Sequence, residues 1–346
     1  MHIIKHRNIF AGIGGSIILV SVGILVFFGL RLGIDFTGGA LTEVVYTESP
    51  TQTKVENAIE ALDWGGSSVR QTESTQGREG FIIRTRDLSE TERQQLVETL
   101  AGLGDGSEIT RFTSIGPAIG EELADKAKWA IFAVALVIIL YVAIAFVKVG
   151  YPVRSWVYGG ITIVALIHDV LVPTAVMAVL GVTMGVEVDV LFVTAILAVL
   201  GYSVNDTIVV FDRVRENLHK NRTEHVSEYK DVTGVMQKSV TYRLTKPFAD
   251  IVDLSVKQII TRSINTSLTT TLALGALFFM GGETTQVFSL ILIAGVLAGT
   301  YSSIFLASPL LAVYTEYVAK LPVDLIPEDS TDDAKDFDNK TSIKSK

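Results

Sequence analysis

Long apolar runs without charge dominate the pattern of hydrophobic and polar positions along the chain. Six of these runs have about the 18 or more residues that a helix needs to cross a bilayer. They cover residues 9–30, 129–147, 155–181, 190–211, 263–282 and 287–313. Inside these runs, Asp169 and Asp206 are the only residues of the types Asp, Glu, Lys and Arg. The pattern predicts an α-helical polytopic membrane protein with six transmembrane helices, and six crossings put both termini on one side.

The distribution of Lys and Arg over the short loops predicts the orientation. The N-terminal segment and the loop 148–154 carry two basic residues each, and the segment 212–262 carries ten against seven Asp and Glu. The loops 182–189 and 281–283 have acidic residues and no Lys or Arg. Because short loops rich in Lys and Arg stay in the cytoplasm, we expect cytoplasmic termini and an outer location for 31–127.

The stretch between the first two spans changes to the short periods of a soluble domain. Strand and helix patterns follow in the order βαββαβ, which is typical of a ferredoxin-like α+β domain. The strands are expected at 40–47, 67–74, 80–87 and 108–115. Capping boxes at 49–52 and 89–92 predict the two helix starts. The stretch has no recognisable nucleophile–base pair, metal cluster or phosphate loop, so we expect a binding module.

These patterns divide the chain into four parts. Residues 1–30 form the cytoplasmic N-terminus and helix 1, and 31–127 form the extracytoplasmic domain. Helices 2–6 occupy 128–315 and include the cytoplasmic segment 212–262, and a disordered cytoplasmic tail is expected at 316–346.

Composition narrows the class of protein further. Hydrophobic residues make up 49%, charged residues only 19%, and the mean hydropathy is +0.43, which excludes a soluble globular protein. The absence of Cys excludes thiol catalysis, thiolate metal sites and disulfides. A formal net charge of −8 argues against nucleic acid as a partner. Neither a metal nor a cofactor is expected.

Asp206 is the first candidate for chemistry, because a charge inside the membrane is costly and usually functional. Tyr202 and Ser203 lie on its helical face, and Asn205 precedes it. Arg262 opens the predicted fifth span at the same cytoplasmic level, so we expect an ion pair with Asp206. That pair is either a static salt bridge between helices or part of a proton relay.

Asp169 is the second candidate and falls near the middle of its span. Pro173 deprives the carbonyl of Asp169 of its helical partner, so a kink is expected there. His168 precedes the carboxylate. Asp169 is either a protonated carboxyl that bonds a neighbour or a member of a proton relay.

Small and hydroxyl-bearing residues accompany these charges in the last two spans. The start of the fifth span is rich in hydroxyls, among them Thr266 and Thr269. These either bond their own helix or line a wet path beside the carboxylate. In the sixth span Gly295, Gly299 and Ser303 recur at a spacing of four, which lets another helix approach closely, and we interpret this seam as a packing surface for a partner subunit.

Three motifs together resemble the SecF family of the bacterial-type Sec protein-export machinery, within the RND superfamily. They are Asp35-Phe36-Thr37-Gly38-Gly39 after the first span, the run 201–213 that contains the Asn-Asp pair, and Arg262 with the hydroxyls that follow it. The resemblance extends to about residue 322, and the segment 212–262 is longer than the family's cytoplasmic connection. The paired glycines are either a hinge or a tight turn.

The resemblance implies a non-enzymatic subunit of the cytoplasmic membrane. Its implied partners are SecD, which completes a twelve-helix bundle, the SecYEG channel, the surrounding lipids and the translocating polypeptide. Protons that pass through the bundle are implied to drive outer domains that grip this polypeptide late in export. The family's relay residues correspond to Asp206 and Arg262, while Asp169 is a candidate from its position alone.

Three other functions stay open from the sequence. A half-size RND-type exporter of small molecules or lipids shares the proton chemistry, but an outer domain of fewer than 100 residues leaves little room for a drug-binding cleft. An intramembrane aspartyl protease needs Asp169 and Asp206 to share a proton, whereas helical rise places them about 10 Å apart in depth. A purely structural scaffold would tolerate changes at Asp206.

Overall fold

The structure of the protein is a computed structural model, which describes residues 3–73, 78–146, 153, 155–230 and 236–318. A 3₁₀ turn (Ile4–His6) leads into α1 (Arg7–Phe28), the first long apolar helix. Gly29 ends this helix with a φ of 67°, a conformation that favours glycine. The short helix α2 (Ile34–Thr37) then carries the chain into the outer domain.

Residues 39–115 are called the outer domain, after the location expected from the sequence. They form a four-stranded antiparallel sheet with two helices packed on it. Its elements are β1 (Gly39–Val45), α3 (Gln52–Glu60), β2 (Ser68–Glu73), β3 (Glu79–Thr85), α4 (Glu90–Ala101) and β4 (Glu108–Ile115). The strands lie in the order β2-β3-β1-β4. The core brings Val44 and Phe81 of the sheet against Val55 and Leu96 of the helices. The four strands and the order βαββαβ agree with the sequence prediction.

One of the two predicted capping boxes is present and the other is wrong. Ser89 accepts the backbone N–H of Glu92, whose side chain accepts the backbone N–H of Ser89. The first helix begins at Gln52, so this glutamine stands in the first helical position and not the third. Its amide instead donates to Glu56 at 2.8 Å, and Thr51 at the N-cap makes no side-chain cap.

Five further long helices follow the outer domain, and the last continues through π-helical turns. The elements are α5 (Pro117–Ala145), α6 (Ser155–Thr183), α7 (Val190–Lys220), β5 (Arg222–Lys230), β6 (Met236–Leu244), α8 (Phe248–Met280), α9 (Glu283–Tyr301), the π segment (Ser302–Ala307), α10 (Ser308–Val313) and a final π turn (Tyr314–Val318). Within the described residues six helical stretches are long and apolar enough to cross a membrane. The chain is therefore a polytopic membrane protein, as predicted.

The segment 212–262 is a helix–hairpin–helix extension of the fourth and fifth spans. α7 continues to Lys220, α8 begins at Phe248, and β5 and β6 form an antiparallel hairpin of nine residue pairs between them. The predicted helix limits at 211 and 263 are corrected accordingly. These helix ends are amphipathic, with apolar residues such as Val214 and Val256 buried between charged ones. The predicted tail lies outside the described residues from 319 onward.

The small-residue seam of the sixth span packs against α7 of the same chain. A Cβ atom at Gly295 would lie 2.1 Å from Val199, and one at Gly299 would lie 3.1 Å from Ser203. The glycines are required because the two helix backbones approach closely here. The seam therefore packs within the chain, which corrects its interpretation as a surface for a partner subunit.

Candidate functional site

Asp206 lies on the buried face of α7, with 8% of its surface exposed. Ser263 of α8 donates its hydroxyl to Oδ1 at 3.0 Å, and Ser303 of the π segment donates to Oδ2 at 3.2 Å. Three membrane-spanning stretches therefore meet at one carboxylate. Among the described residues, Asp206 forms no salt bridge, and its direct hydrogen-bond partners are neutral hydroxyls.

Asp169 of α6 is fully buried and is held by three donors. Its Oδ1 lies 2.8 Å from Nδ1 of His168, while Oδ2 accepts the hydroxyl of Ser302 at 2.7 Å and that of Ser203. The His168 ring is 1% exposed and stacks on Tyr301 with ring centroids 5.6 Å apart. In the described part of the chain, Nε2 of His168 has no hydrogen-bond partner.

Two elements, α7 and the π segment, contribute residues to both carboxylate sites. Ser203 stands three residues before Asp206 on α7, a rise of about 4.5 Å, and Ser302 and Ser303 are consecutive. α7 and the π segment therefore each contact both sites. The separation in depth of about 10 Å that the sequence predicts between Asp169 and Asp206 is consequently too large. No hydrogen bond links the carboxylates of Asp169 and Asp206 directly within the described chain, as a shared-proton dyad would require.

The expected ion pair between Asp206 and Arg262 is not formed by the described residues. Because α8 begins at Phe248, Arg262 lies inside the helix, and the next residue, Ser263, faces the carboxylate. Consecutive residues of a helix point about 100° apart, so both cannot face the same partner. Arg262 is exposed and borders a cavity of about 220 Å³ between α7 and α8, near Asp212.

The other polar residues predicted for the site divide into two groups. Tyr202 donates to Ser267 of α8 at 3.3 Å and so joins the buried hydroxyl network. Thr266 and Thr269 each donate to a carbonyl of their own helix at 2.9 Å. Both threonines are exposed, as is Asn205. The structure thus links Tyr202 to α8 through Ser267, not to a carboxylate, and places Asn205, Thr266 and Thr269 on an outward face.

Sequence reasoning missed the part played by the sixth span. Ser302 was not singled out, and Ser303 was interpreted as a packing residue, yet each donates to one carboxylate. The available signal was a pair of adjacent hydroxyl residues in an uncharged apolar run. A π-helical turn, which places consecutive residues differently from an α-helix, is not readable from the pattern.

The Asp-Phe-Thr-Gly-Gly motif lies where the outer domain meets the membrane helices. Asp35 Oδ2 accepts the backbone N–H of Val190 at 2.9 Å, while Asp189 caps the same helix through the N–H of Phe192 at 2.8 Å. Burial raises the pKa of Asp189, and the charge of Asp35 acts in the same direction, whereas the N–H of Phe192 and Arg111 oppose it. The motif therefore caps the helix that carries Asp206.

The paired glycines allow close approach of three backbones. Gly38 has a φ of 73°, and a Cβ there would lie 2.7 Å from the Cα of Pro117. Gly39 has a φ of 126°, and its Cβ would lie 2.7 Å from the carbonyl oxygen of Thr85. Both positions require glycine on conformation and on space, which favours a tight packing role over a free hinge at these two residues.

Arg84 of β3 links the sheet of the outer domain to the loop between α6 and α7, on the face that α3 and α4 leave uncovered. Arg84 forms an ion pair with Glu187 at 2.5 Å and donates to the hydroxyl of Thr37 at 2.5 Å. The backbone adds a bond from Gly33 N–H to Val188 O at 2.8 Å. A cavity of about 290 Å³ remains between sheet and loop. Outer domain and membrane helices are therefore joined by polar contacts.

No group of three or more His, Cys, Asp or Glu in the described chain is arranged to hold a metal ion. The two buried carboxylates are surrounded by hydroxyl donors and one imidazole, a donor set suited to proton binding. Chemically, the arrangement can hold a proton on either carboxyl inside the membrane.

Comparison with known proteins agrees with this architecture. The family model described as "Protein export membrane protein SecD/SecF, C-terminal" matches residues 95–245 and 232–317, and "SecD/SecF GG Motif" matches residues 23–49. The protein translocase subunit SecF of Thermobaculum terrenum is 38% identical over 89% of this chain and 92% of its own length. That of Sebaldella termitidis is 35% identical over 90% of each chain.

Two solved structures have the same fold. SecDF from Thermus thermophilus, a translocon-associated membrane protein, superposes with a TM-score of 0.74 at 28% identity, covering 91% of this chain and 39% of the SecDF chain. SecDF in a Super-membrane-facing form gives a TM-score of 0.59 at 27% identity over the same shares. The present chain thus spans well under half of the solved SecDF chains.

The six long apolar helices define a multi-pass membrane protein, here with two buried carboxylates between the helices. The family models and the relatives, which it matches over most of their length, place it more closely: the chain belongs to the SecF family of protein translocase subunits.

Proposed function

We propose that this subunit, together with SecD, uses the proton-motive force to assist late export of polypeptides through the SecYEG channel. Asp206 is the proton-carrying residue of the proposal, and Asp169 is a second proton site. Arg262 acts from the edge of the site and tunes Asp206 through space. The proposed process is the transfer of protons across the cytoplasmic membrane, coupled to movement of the outer domain.

The observation that carries this proposal is the setting of the two carboxylates. Each is buried in the membrane part, and their donors are the hydroxyls of serines and one imidazole. A fixed cation in direct contact would keep a buried carboxylate charged, whereas hydroxyls leave the charged form costly and protonation accessible. Such a carboxyl suits a reversible proton carrier better than a static salt bridge.

The outward face of α8 supports SecD as the partner. This helix is only 11% buried over its most apolar stretch, against 50% for α7. Its exposed residues include Arg262, Asn265 and Thr266. Charged and amide groups facing lipid are costly, so a second helical subunit is the natural cover for them. The solved SecDF chain, which is more than twice as long as this chain and has the same fold in 39% of its length, supports SecD as the partner.

The remaining assignments follow from this reading. We infer a ferredoxin-like outer domain at 31–127 on the extracytoplasmic side, helices 2–6 at 128–315, and both termini with the segment 212–262 in the cytoplasm. The antiparallel order β2-β3-β1-β4 supports the ferredoxin-like class. The domain is the part proposed to contact the translocating polypeptide.

Export of small molecules or lipids by a half-size RND-type transporter is the second candidate. It shares the buried carboxylates, but the cavity of about 290 Å³ beneath the sheet is crossed by arginines and acids, a poor setting for an apolar cargo. The protease alternative loses support because, among the described residues, each carboxylate accepts from its own serine and no hydrogen bond joins the two.

The proposal is tested with membrane vesicles that contain the channel, SecD and this chain. Export of a secretory polypeptide is measured with and without a proton gradient, and in matched vesicles without this chain. We expect the increase in export caused by the gradient to require the chain, and SecD to be extracted with it in mild detergent. An unchanged increase without the chain, or a chain extracted alone and fully active, would contradict the proposal.

A further inference from the structure

The two serines of the π segment have a second acceptor each. Ser302 Oγ lies 2.7 Å from Asp169 Oδ2 and 3.1 Å from the carbonyl oxygen of Gly299. Ser303 Oγ lies 3.2 Å from Asp206 Oδ2 and 3.2 Å from the carbonyl oxygen of Thr300. Each hydroxyl has one proton, so it is shared between a carboxylate on another helix and a carbonyl of its own helix.

The charge of the carboxyl group decides which of the two acceptors the serine hydroxyl bonds. A hydroxyl bonds a carboxylate about twice as strongly as a neutral oxygen, so the charged state ties the π segment to α6 and α7. When a proton binds to Asp169 or Asp206, the carboxyl loses its charge and becomes a donor itself. The serine keeps its own proton and donates it to the carbonyl oxygen of its own helix. The hydrogen bond between the π segment and the neighbouring helix is thereby weakened.

The π segment and the residue before it, Tyr301 of α9, also contact α1. Phe305 packs on Phe10 with ring centroids 5.0 Å apart, and Tyr301 donates to the carbonyl of Phe10 at 3.1 Å. Leu306 fills the space over Gly14, where a Cβ would lie 2.8 Å from its Cδ1. α1 leads through Gly29 directly into the motif that holds Asp35. The segment therefore stands between the carboxylates and the helix connected to the outer domain.

We propose that Ser302 and Ser303 are positioning residues for proton transfer, and that the π segment transmits the protonation of Asp169 and Asp206 to α1. This inference rests on the proposed proton-driven function. π-helical turns are less stable than α-helix and are frequent at functional sites, which suits an element with two arrangements. Ser308, which donates to the carbonyl of Ser303 at 3.1 Å, stabilises the present arrangement.

The first test replaces the serines in vesicles that contain the complete complex. Ser302→Ala and Ser303→Ala should each lower the gradient-dependent increase in export roughly tenfold, the factor expected for one lost bond to a charged group. Ser289→Ala is the matched control, because Ser289 is equally buried but donates only to the carbonyl of Thr285 in its own helix. It should keep the full increase.

The second test does not depend on how the serine variants fold. The chain has no Cys, so Phe10→Cys with Phe305→Cys introduces its only two thiols. A direct disulfide needs Cβ atoms about 3.5–4.5 Å apart, so the thiols are bridged with a short bis-methanethiosulfonate, whose two disulfides a reducing agent cleaves. The reagent should abolish the gradient-dependent increase, a reducing agent should restore it, and each single variant should be unaffected by the reagent. Reversal in the same protein molecules distinguishes a blocked motion from a damaged fold.

Asp206→Asn run in parallel separates the two proposals. Loss of the increase in Asp206→Asn, in the serine variants and in the cross-linked pair supports both. Loss in Asp206→Asn alone, with serine variants and cross-linked protein fully active, would overturn the transmission through the π segment while the proton-driven function stands. A full increase in Asp206→Asn would overturn the proposed function, and with it this inference.

Discussion

Asp35 Oδ2 accepts the backbone N–H of Val190 at 2.9 Å, so a residue of the outer-domain motif caps the helix that carries Asp206. The first turn of a helix has unpaired N–H groups and a positive dipole end, and both favour a carboxylate. Asp189 of the same helix adds a second carboxylate. The outer domain is therefore attached at the end of the helix whose buried part binds the proposed proton.

Removing this cap should weaken the coupling between outer domain and membrane helices. Asp35→Ala leaves the N–H of Val190 without its partner, and such cap losses cost about 1 kcal/mol. We expect normal insertion but a reduced gradient-dependent increase in export, measured per molecule of subunit. Asp35→Asn retains an acceptor oxygen and should lie between the two. Glu98→Gln, an exposed carboxylate elsewhere in the domain, is the control. An Asp35→Ala subunit as active as the original would show that the cap has no coupling role.

Gly39 should not tolerate a side chain. Its φ of 126° and the 2.7 Å approach of a Cβ to the Thr85 carbonyl predict that Gly39→Val lowers protein level and thermal stability by more than the roughly 1 kcal/mol of an ordinary glycine substitution. Gly116→Ala, where no atom lies within 4 Å of the added Cβ, should be close to neutral. Normal abundance of Gly39→Val with slow export would instead favour a hinge.

The contact between α9 and α7 should show compensation. Gly295→Ala forces a methyl group against Val199, and overpacking of this kind costs about 1–3 kcal/mol. The double variant with Val199→Ala should be less destabilised than the sum of the two single variants, because the second change removes the clash. Thermal unfolding in detergent measures all three. Strict additivity would mean that these residues do not touch.

The capping box of α4 gives a pH dependence. Hydrogen bonds from the side chain of Arg86, then from the hydroxyl and N–H of Ser89, lower the pKa of Glu92 to about 2. A carboxyl with a lowered pKa stabilises the folded state above its ordinary pKa, and this stabilisation is lost as the pH falls toward 2. The protection of the α4 amides, which is the ratio of the intrinsic to the observed hydrogen-exchange rate at each pH, should therefore fall below about pH 4.5. Glu92→Gln should show lower protection at neutral pH and a smaller change of protection on acidification.

The sequence predicts the elements far better than the contacts between them. Six spans, four strands and the box at Ser89 follow from local periodicity and capping chemistry. The first box was wrong because the helix begins two residues later than predicted, which moves Gln52 from the third helical position to the first. The ion pair was wrong because adjacent helical residues point about 100° apart, and the sequence does not show that Ser263 and not Arg262 faces Asp206.

Other features depend on tertiary geometry that no single sequence window contains. Ser302 and Ser303 reach separate carboxylates because the chain forms a π turn between α9 and α10. The docking of Asp35 on Val190 joins residues that are distant in sequence and was not predicted. The motif at 35–39 was recognisable, but its contacts were not.

The central claim is that a proton on Asp206 drives the late step of export. Asp206→Asn keeps the size and much of the hydrogen bonding of the side chain but cannot exchange the proton. The matched control is Asp212→Asn, an exposed carboxylate two turns later that pairs with Arg215. Both variants should insert and extract with SecD as the original does.

The most direct measurement is the export rate of these variants in vesicles with and without a proton gradient. The account predicts that Asp206→Asn loses the gradient-dependent increase while ATP-driven export continues, and that Asp212→Asn keeps both. An Asp206→Asn subunit that retains the full gradient-dependent increase would contradict the account.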